Sequence, residues 1–474
     1  MIRVLSVEEM LSAESSIKNL GVTEEILVSR AGNAIAEEIL SRFKGGRILF
    51  VCGKGNNGAD GKVAASILSQ KHGFKVGVVD AFSSDNHNFN DWDIVVDCIF
   101  GTGLNRCVTG QALKTINDIN CSKAYKIAVD LPSGLSGNGG VVLGACVKAD
   151  LTIAIQEYKL GHFFGDGVEC SGELSVKDIG ISVWGDDYAR LIDASDARAC
   201  FPKRRKNTSK GSYGRSCIIG GSKSFCGAPL LASLACLKTG VGYTTVAVPD
   251  CIYNSVAGKN PECITYSLSS NDGAIKFDEK NLKGLLGYDS IAVGMGLTTS
   301  NETFKVVKYL LENYLGNLIV DADALNSLAT YGVQYLKNAK CKVLITPHPK
   351  EFSRLTGLDI KDILLNPVYY AQNFAKEFSV SVLLKGTVSV LTDGVRTLVN
   401  TTGCSGMAKG GSGDVLSGII AGVSARNELF ASAMAGAYIA GLSGEIAEGK
   451  FNAYSVLPTD QINCIFLAIN AILE

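Results

Sequence analysis

Short apolar runs alternate with segments of helical periodicity along the first part of the chain. Runs of strand length occur at 47–52, 75–80, 93–97, 126–130 and 151–155. Between several of them lie patterns typical of helices, such as 59–71. Buried strands that alternate with helices indicate a parallel sheet covered on both faces, which is a three-layer α/β arrangement. We therefore predict a first α/β domain in residues 1–200.

A second series of the same kind follows without any repeat of the first sequence. It predicts strands at 216–220, 243–248, 290–294, 317–321, 342–346 and 381–385. The runs 388–392 and 397–400 predict a hairpin because Asp-Gly-Val-Arg lies between them. Helical patterns then fill 413–425 and about 429–447. We therefore predict a second α/β domain in residues 201–474.

The segment 201–214 separates the two series and is strongly basic. Five of its Lys and Arg residues fall within eight positions, with little apolar content between them. An exposed linker is the simpler interpretation. The alternative is a basic lip over an anionic ligand.

Composition narrows the class of protein. The net charge of −1 argues against nucleic acid as the main partner, and four His without ligand spacing argue against zinc. The fifteen Cys contain no C-x-x-C pair, which suggests buried thiols in a reducing cytoplasm. The first ten residues lack a signal-peptide core, and the longest uncharged stretch, 429–444, is shorter than the ~18–20 residues of a membrane span. We expect a buried core helix there and no membrane partner.

Two glycine-rich turns stand out because each also carries a carboxylate. The first covers 53–61 and contains Asp60, and the second covers 408–418 and contains Asp414. Small residues let the backbone approach a ligand, and the free N–H groups at the start of a helix attract phosphate. A carboxylate beside a phosphate site repels the ligand, so its presence suggests a task. The pattern indicates two active sites for phosphorylated substrates.

The second turn has the parts needed for phosphoryl transfer. Gly410, Gly411 and Gly413 precede a predicted helix, so neighbouring N–H groups can point at one anion. Asp414 lies at the helix start, within reach of an attacking hydroxyl, and can accept its proton as a general base. The alternative is an Asp that only caps the helix after a glycine turn.

A wider set of motifs gives the second domain a family resemblance. In chain order these are IGGSKSFCGAPLLAS (219–233), VGMGLT (293–298), VDADALN (320–326), TPHPKEF (346–352), LKGTVSVL (384–391) and GGSGDVLSG (410–418). Together they resemble the ADP/ATP-dependent NAD(P)H-hydrate dehydratase family, whose fold is ribokinase-like α/β. The departures are small, since Ser412 replaces a usual Thr, Lys350 a Gly and Met295 a Pro.

The resemblance implies that a nucleotide phosphorylates the hydroxyl of hydrated NADH or NADPH, and that phosphate then leaves. It makes Asp414 the base and implies ADP, or ATP, as co-substrate. The implied hydrate-binding residues are Ala228, Gly296, His348 and Asp414, and the implied nucleotide-binding residues are Lys385, Gly386, Thr387, Val388, Ser389 and Gly413. For His348 the alternative is a turn-capping role. Asp321 and Asp323 either hold Mg²⁺ near phosphate through water or cap the following helix.

In the first domain, polar residues follow several predicted strands at the edge where parallel sheets bind ligands. Asp97 ends the third strand and Asp130 the fourth, while two Asn lie in the glycine-rich turn. Carboxylates and amides at neighbouring strand ends could bind a cation or move protons. For Asp130 the alternative is capping of its own turn.

The motifs GNNGADG (55–61), VVDCIFGTGLNR (95–106), VDLPSG (129–134) and EYKLGH (157–162) resemble the NAD(P)H-hydrate epimerase family, whose fold is Rossmann-like. Ala59 replaces a Gly of that family. The resemblance implies K⁺ bound by Asn57, Asp97 and Ser133, and makes Asp130 a substrate contact and the proton-transfer group. The remaining implied substrate contacts are Asn56, Asn57, Gly58, Ala59, Asp60, Gly101, Thr102, Gly103, Leu104, Asn105, Arg106 and Cys107.

Taken together, the two resemblances predict a bifunctional enzyme that epimerises R and S hydrates of NADH and NADPH and dehydrates the S form. We expect a cytoplasmic homo-oligomer. The rival for the second domain is a small-molecule kinase of the same fold, such as a vitamin-precursor kinase. The rival for the first is a binding module without catalysis.

Overall fold

A computed structural model describes residues 2–84, 87–183 and 188–474. The chain divides into two compact units. The first comprises Ile2–Ala189 together with Leu364–Asn366, and the second comprises Arg190–Ile363 together with Pro367–Glu474. The assignment of one activity to residues 1–200 and another to 201–474 stays a prediction.

The first unit is built on a six-stranded parallel sheet. Its elements are β1 (Arg3–Leu5), α1 (Val7–Asn19), α2 (Glu24–Arg42), β2 (Gly46–Cys52), α3 (Asn56–Ser69), β3 (Phe74–Asp80), β4 (Ile94–Cys98), α4 (Gly110–Cys121), β5 (Tyr125–Val129), β6 (Leu151–Ile155), β7 (Tyr158–Lys159), α5 (Gly167–Cys170) and β8 (Glu173–Lys177). The sheet order is β3-β2-β4-β5-β6-β8, and every pair in it is parallel. β1 and β7 form a parallel pair outside this six-stranded sheet.

Helices cover both faces of this sheet. Ile48 and Phe50 of β2 belong to one hydrophobic cluster, with residues of α1, α2 and α3. Their neighbours Leu49 and Val51 belong to another, with residues of α4. This alternation confirms the predicted three-layer arrangement. The strand order changes direction between β2 and β4, and ligands of such sheets bind beyond the carboxyl ends of the strands at that position.

The second unit is a larger α/β arrangement. Its elements are β9 (Ala189–Leu191, which begins at the boundary), α6 (Ala194–Arg198), β10 (Arg215–Ile219), α7 (Gly227–Lys238), β11 (Tyr243–Pro249), α8 (Tyr253–Val256), β12 (Ile264–Leu268), β13 (Ser270–Asn271), β14 (Ala274–Ile275), α9 (Glu279–Lys283), β15 (Ser290–Val293), α10 (Asn301–Asn313), β16 (Asn317–Val320), α11 (Ala322–Tyr331), β17 (Lys342–Ile345), α12 (Pro349–Thr356), α13 (Ile360–Leu365), α14 (Pro367–Phe378), β18 (Ser381–Leu384), β19 (Ser389–Thr392), β20 (Thr397–Asn400), α15 (Ser412–Ser424), α16 (Leu429–Ser455) and α17 (Pro458–Leu473).

Its sheet runs in the order β12-β11-β10-β15-β16-β17-β18-β19-β20-β9. The strands from β12 to β18 are parallel, and β18, β19 and β20 are antiparallel, which confirms the predicted hairpin. Helices α7, α15 and α16 pack on the sheet through buried apolar residues such as Ala232, Ile420 and Ala433. The carboxyl ends of the parallel strands and the amino ends of α7 and α15 therefore lie at one edge, where the candidate chemistry is found.

Helix α16 is long and apolar enough to cross a membrane by length and composition alone. Within the protein, 72% of its most apolar window is buried. The prediction of a core helix in this region is confirmed. The segment 202–212 is exposed along its length, but it lies inside the second unit and not between the two units, so its role as a linker stays a prediction. All fifteen cysteines are free thiols, and most are buried.

Candidate active sites

The first unit holds a cavity of about 520 Å³ beyond the carboxyl ends of its strands. Its wall combines the turn after β2, the loop after β4, Asp130 after β5 and Lys159 in β7, with α1 and α2 on the apolar side. The predicted residues that line it are Asn56, Asn57, Asp60, Gly101, Thr102, Gly103, Leu104, Asn105, Arg106 and Asp130. Gly58, Ala59 and Cys107 are not part of the wall.

Asp130 is held in a strained position by the residues around it. Its φ of 66° is in the left-handed region, which a residue other than Gly rarely adopts. Its carboxylate accepts hydrogen bonds from Lys159 Nζ and from Ile155 N at 3.3 Å, so it does not cap its own turn. His162 Nε2 lies 2.6 Å from the Asp130 carbonyl oxygen. The chain thus fixes this carboxylate at the cavity wall beside a lysine whose side chain is 1% exposed.

Glycine at 101 lets the loop after β4 come close to these groups. A Cβ there would lie 3.2 Å from Asn57 Nδ2 and 3.5 Å from Asp130 Oδ2. A larger side chain would fill the space in front of the carboxylate. The short distances explain the glycine at position 101.

Three further carboxyl groups line the cavity with Asp130, those of Asp60, Glu14 and Glu24. Burial raises the pKa of Asp60 to about 8, and repulsion from Asp130 and Glu14 adds to the effect. Burial also raises the pKa of Glu14, again with a contribution from Asp130. Glu14 and Lys159 were not predicted as site residues. Glu14 lies on an amphipathic helix far from the motifs, while Lys159 lies inside the quoted EYKLGH segment and could have been singled out there.

Hydrogen bonds to the backbone of Phe100 hold two of the predicted K⁺ ligands, Asn57 and Ser133, close together. Asn57 Nδ2 donates to Phe100 O at 2.8 Å, and Ser133 Oγ accepts from Phe100 N at 2.8 Å. The Asp97 carboxylate is buried and accepts from Ser133 N at 2.8 Å and Ser133 Oγ at 2.6 Å. Asn57 Oδ1 is buried and has no hydrogen-bond partner among the described residues.

An orphaned buried amide oxygen is costly unless something binds it. The oxygen donors of Asn57, Asp97 and Ser133 are of the hard type that suits an alkali or alkaline-earth cation. Burial raises the pKa of Asp97 to about 6, while hydrogen bonds from Ser133 and Ile99 oppose that rise. A cation beside this carboxylate would also favour its charged form. The residues present therefore fit a bound cation.

In the second unit, the glycine-rich turn opens directly into α15. Gly411 precedes this helix with a φ of 106°, a conformation that only Gly adopts without strain. No side chain caps the first turn of the helix. Ser412 N donates to Lys409 O at 3.3 Å, and the N–H groups of Gly413 and Asp414 are left for another acceptor. Asp414 lies in that first turn and is half-buried. It does not point into the packed interior.

Asp414 belongs to a cluster of charged side chains. Burial raises its pKa to about 7, and repulsion from Asp321 and Asp323 outweighs attraction by Lys385. A carboxylate with a pKa near neutrality is suited to take a proton in solution at physiological pH. This position at the amino end of a helix would suit a general base.

Asp321 is bound from two sides at the bottom of this cluster. Lys385 Nζ lies 2.8 Å from its Oδ1, and Ser417 Oγ of α15 donates to its Oδ2 at 2.7 Å. Burial opposes its ionisation, but the attraction and hydrogen bonding of Lys385 and the bonds from Ser417 and Thr346 leave its pKa below the ordinary value. The Asp321 side chain makes no capping bond to α11.

Asp323 contacts the loop after β15 instead of its own helix. It accepts hydrogen bonds from Thr298 N at 2.9 Å and Thr299 Oγ1 at 3.3 Å. Capping of α11, the alternative for both Asp residues, is therefore not what their side chains do. Ser417 had no assigned role from the sequence, because a Ser inside a helix is usually neutral.

His348 caps a helix, as one interpretation of the sequence expected. Its Nδ1 accepts from Lys350 N at 3.1 Å and from Glu351 N at 3.2 Å at the start of α12. The side chain is 46% exposed, and its Nε2 lies 3.6 Å from Glu351 Oε1. Burial lowers the pKa of His348, only partly offset by Glu351, so the imidazole is neutral near pH 7. Capping occupies Nδ1, and the exposed part of the ring can still contact a ligand beside Glu351.

Two other predicted hydrate-binding residues are brought together. A Cβ on Gly296 would lie 3.3 Å from the Ala228 Cβ and 2.7 Å from the Phe225 Cβ. Phe225 is 54% exposed and was not predicted. A single exposed aromatic residue is common on protein surfaces, so the sequence carried no signal for it.

The predicted nucleotide-binding residues follow β18. A Cβ on Gly413 would lie 3.6 Å from Lys385 Nζ, so the loop and the glycine-rich turn meet at this lysine. Gly386 and Thr387 are exposed, Ser389 is half-buried, and Val388 is buried. The open part of this loop is therefore next to the free N–H groups of α15.

Comparison with known proteins places both units in families. A family model described as NAD(P)H-hydrate dehydratase matches residues 216–466. A second model, described as YjeF-related protein N-terminus, matches residues 24–89 and 73–161. The first match alone covers more than half of the chain.

Two relatives that match over nearly the whole chain share one name. The bifunctional NAD(P)H-hydrate repair enzyme of Thermofilum pendens is 34% identical over 98% of this chain and 95% of its own. The enzyme of the same name from Moorella thermoacetica is 35% identical over 92% of this chain and 91% of its own.

Solved structures share the fold of the second unit. A protein from Streptococcus mutans is 26% identical and covers 60% of this chain and 100% of its own, with a TM-score of 0.52. A structure described as ADP/ATP-dependent NAD(P)H-hydrate dehydratase from Bacillus subtilis, co-crystallised with ATP and Mg²⁺, is 24% identical and covers 60% of this chain and 99% of its own, with a TM-score of 0.52. With the motifs and their geometry, these matches show that the chain belongs to the family of bifunctional NAD(P)H-hydrate repair enzymes.

Proposed function

We propose that the second unit dehydrates hydrated NADH and NADPH by phosphoryl transfer, with Asp414 as the general base. The observation that carries this proposal is the half-buried Asp414 carboxyl at the uncapped amino end of α15. The Asp414 carboxylate takes the proton of the hydrate hydroxyl while that oxygen bonds to the terminal phosphorus of the nucleotide and the bond to the leaving phosphate oxygen breaks. The carbon–oxygen bond then breaks, phosphate leaves, and the neighbouring ring carbon loses a proton to restore the double bond.

The N–H groups of the glycine-rich turn and Lys385 stabilise the charge on the transferred group. Helix amino ends and cations placed where charge develops are worth most when they are held in position beforehand. Lys385 is held by Asp321, which is held in turn by Ser417 of the same helix that carries Asp414. Because Lys385 is anchored to α15 in this way, its distance from the Asp414 carboxylate is fixed.

ADP or ATP is the proposed co-substrate, and ADP is favoured by the resemblance to fused microbial forms. The Bacillus subtilis relative was crystallised with ATP and Mg²⁺. Both oxygens of Asp321 are engaged here, and among the described residues no three His, Cys, Asp or Glu are placed to hold a metal. Direct ligation of Mg²⁺ by these side chains does not fit, so we propose that the ion enters with the nucleotide phosphates.

For the first unit we propose epimerisation of the hydrated carbon with Asp130 as the proton-transfer group. Inversion of configuration at that carbon requires the carbon–oxygen bond to break and reform. This needs a group that gives and takes a proton. Asp130 is positioned by Lys159 and lies on the cavity wall with Asp60. Asn57, Asp97 and Ser133 would hold K⁺, whose charge would neutralise part of a bound dinucleotide phosphate. A cytoplasmic location, which suits the free thiols, and a homo-oligomeric state remain part of the proposal.

The test is dehydration of purified hydrate, followed by the return of reduced-nicotinamide absorbance with ADP and with ATP. Asp414→Asn is expected to lower kcat by about 10²–10⁴-fold, because removal of a general base costs this much. Asp362→Asn, an exposed Asp of the same unit, serves as control and keeps the wild-type rate. If wild-type protein never restores the absorbance but phosphorylates a vitamin alcohol, the small-molecule kinase is correct. If it does neither, phosphoryl transfer at Asp414 is wrong.

A further inference from the structure

A second cavity, of about 820 Å³, lies in the second unit away from Asp414. Its wall is formed by the carboxyl ends of α7, α15 and α17 together with the segment that follows α6. Asp414 lies at the opposite end of α15, and the rise of an α-helix puts that end about 18 Å from Arg426. The two sites are therefore separate, and we call this cavity the basic pocket.

The basic pocket is lined by five cationic side chains and no acidic one among the described residues. The cations are Arg198, Lys203, Arg204, Lys238 and Arg426. None of them takes part in a salt bridge within the described part of the chain. Cations gathered in a concave site without counter-charges raise the local concentration of anions.

Helix dipoles explain only part of this charge. The carboxyl ends of α7, α15 and α17 each carry roughly half a negative charge, which favours cations beside them. Three such ends offset about one and a half positive charges of the five. The rest of the positive charge has no counter-charge in the described wall of the pocket, and this points to an anionic ligand.

Two of the arginines are fixed by an aromatic ring. The Arg204 guanidinium carbon lies 3.9 Å from the centroid of the Tyr213 ring, and that of Arg426 lies 4.8 Å from the same centroid. Arg204 also donates a hydrogen bond to Gly240 O. Planar guanidinium groups that are stacked in advance lose less freedom on binding phosphate.

The opposite wall is apolar and exposed. Phe466 is 53% exposed and Leu473 is 41% exposed, and Ile469 lies between them on α17. An apolar surface beside a group of cations matches a ligand that has both a charged and an apolar part. The volume is within the range of small-molecule sites, about 300–1,000 Å³.

We propose that the basic pocket binds a small organic polyphosphate, with its phosphates on the five cations and its apolar portion on α17. The site is distinct from the one proposed for the nucleotide at Asp414. Because it uses none of the same residues, the proposal stands or falls independently of the proposed function.

The test reads binding locally, through the reactivity of Lys203 and Lys238 toward an acetylating reagent, measured on the full chain by peptide mass spectrometry. Sodium tripolyphosphate is expected to slow acetylation of both lysines at least about fivefold, because phosphate contacts bury and engage the amines. Lys259, which is exposed in the same unit and outside the pocket, should react at an unchanged rate. ATP should protect the two lysines at lower concentration than tripolyphosphate, because it adds an apolar portion.

Two double variants separate this site from a general charge effect. Arg198→Gln with Arg426→Gln should abolish the protection, whereas Lys276→Gln with Lys283→Gln, which removes the same charge elsewhere in the unit, should retain it. The proposal is overturned if tripolyphosphate protects none of the lysines, or if it protects Lys259 equally. Protection that appears without any probe and grows with protein concentration would also overturn it, because a second copy of the chain would then fill the pocket. If ATP protects no better than tripolyphosphate, the apolar half of the proposal is wrong.

Discussion

Single residues in both sites owe their chemistry to burial more than to sequence. Asp414 and Asp60 have carboxyl groups whose pKa values rise to about 7 and about 8, in each case mainly because they are withdrawn from water. Repulsion from neighbouring carboxylates raises both pKa values further. Lys385 and Lys159 supply the compensating charge, each beside a different Asp. Each site therefore combines a lysine with a carboxyl group whose pKa is close to physiological pH, as acid–base chemistry requires.

The pH dependence of dehydration follows from Asp414. The pKa of about 7 means that the folded protein holds this group protonated in acid. A protonated acid cannot accept the hydroxyl proton, so kcat should fall about tenfold per pH unit below 7 and level off above it. Rates measured between pH 5 and 9 at saturating hydrate and nucleotide check this. A profile that is flat through pH 6 would show that another group is the base.

The same group makes a prediction about stability. Its pKa is raised on folding, so the folded state is favoured at low pH, and that stability is lost as the pH rises from about 4 to about 7. Asp414→Asn removes the penalty. The thermal midpoint of the Asn variant should therefore exceed that of the wild type by a margin that grows from pH 4 to pH 7 and is constant above 7. A constant margin at all pH values would contradict the assigned pKa.

Asn57 allows a test of the cation that does not depend on catalysis. A ligand that binds only the folded state raises the thermal midpoint in proportion to the logarithm of its concentration. K⁺ should therefore stabilise the wild type relative to Na⁺ at equal ionic strength, and Asn57→Ala should lose that response because its orphaned oxygen is gone. Asn56→Ala, a change at the exposed neighbour, should keep it. Equal responses to K⁺ and Na⁺ in the wild type would rule out a selective site.

At the scale of elements, the strands were the most predictable part of the molecule. The predicted runs in both halves became strands because a parallel sheet buried on both faces needs continuous apolar segments. β8 was not predicted, because Glu173–Lys177 is a short edge strand with only two apolar residues, Leu174 and Val176. Helix α17 was not predicted, although Pro458 at its start and the apolar residues of its buried face are typical helix signals.

The candidate sites were predictable only where the residues lie in compact motifs. Asp130 and Asp414 stand at strand and helix ends, which the pattern alone places at the ligand-binding edge. Glu14 meets Asp130 from an amphipathic helix outside the motifs, where a single charged residue carries no signal of its neighbours. Lys159 lies inside the EYKLGH motif, but its pairing with Asp130 spans 29 positions and is not visible in the sequence. The pairing of Lys385 with Asp321 was also invisible, because it spans 64 positions in the chain.

The packing of α15 against α7 depends on small residues, and this gives a prediction at the element scale. A Cβ on Gly418 would lie 2.1 Å from Ala232 O, a backbone atom that cannot move away cheaply. Gly418→Ala should therefore destabilise the second unit by about 1–3 kcal/mol despite the better helix propensity of Ala. Urea unfolding of the full chain measures it.

Gly449 of α16 is the matched control, because a Cβ there would meet nothing within 4 Å. Gly449→Ala should be neutral or stabilise by up to about 1 kcal/mol. If both substitutions have the same effect, the close approach of the two helices does not limit stability.

At the scale of the whole molecule, two chemistries share one chain but not one set of residues. Each unit has a sheet with a parallel core, and in each the candidate residues lie at the edge where the parallel strands have their carboxyl ends. The residues that line the first cavity all belong to the first unit, and those around Asp414 all belong to the second. The released epimer must therefore reach the second site either through solvent or by passage within one molecule. The geometry of each unit by itself is compatible with both routes.

A complementation experiment decides between these routes. With a mixture of R and S hydrate and a nucleotide, wild-type protein should convert all of it, and Asp414→Asn should convert none. Asp130→Asn should convert the S fraction quickly and the rest only at the uncatalysed rate of epimerisation. Equal amounts of the two variants in one tube should restore full conversion, because the Asp414→Asn protein supplies epimerase and the Asp130→Asn protein supplies dehydratase. A mixture that performs no better than Asp130→Asn alone would show that the substrate passes between the two sites of one molecule without being released.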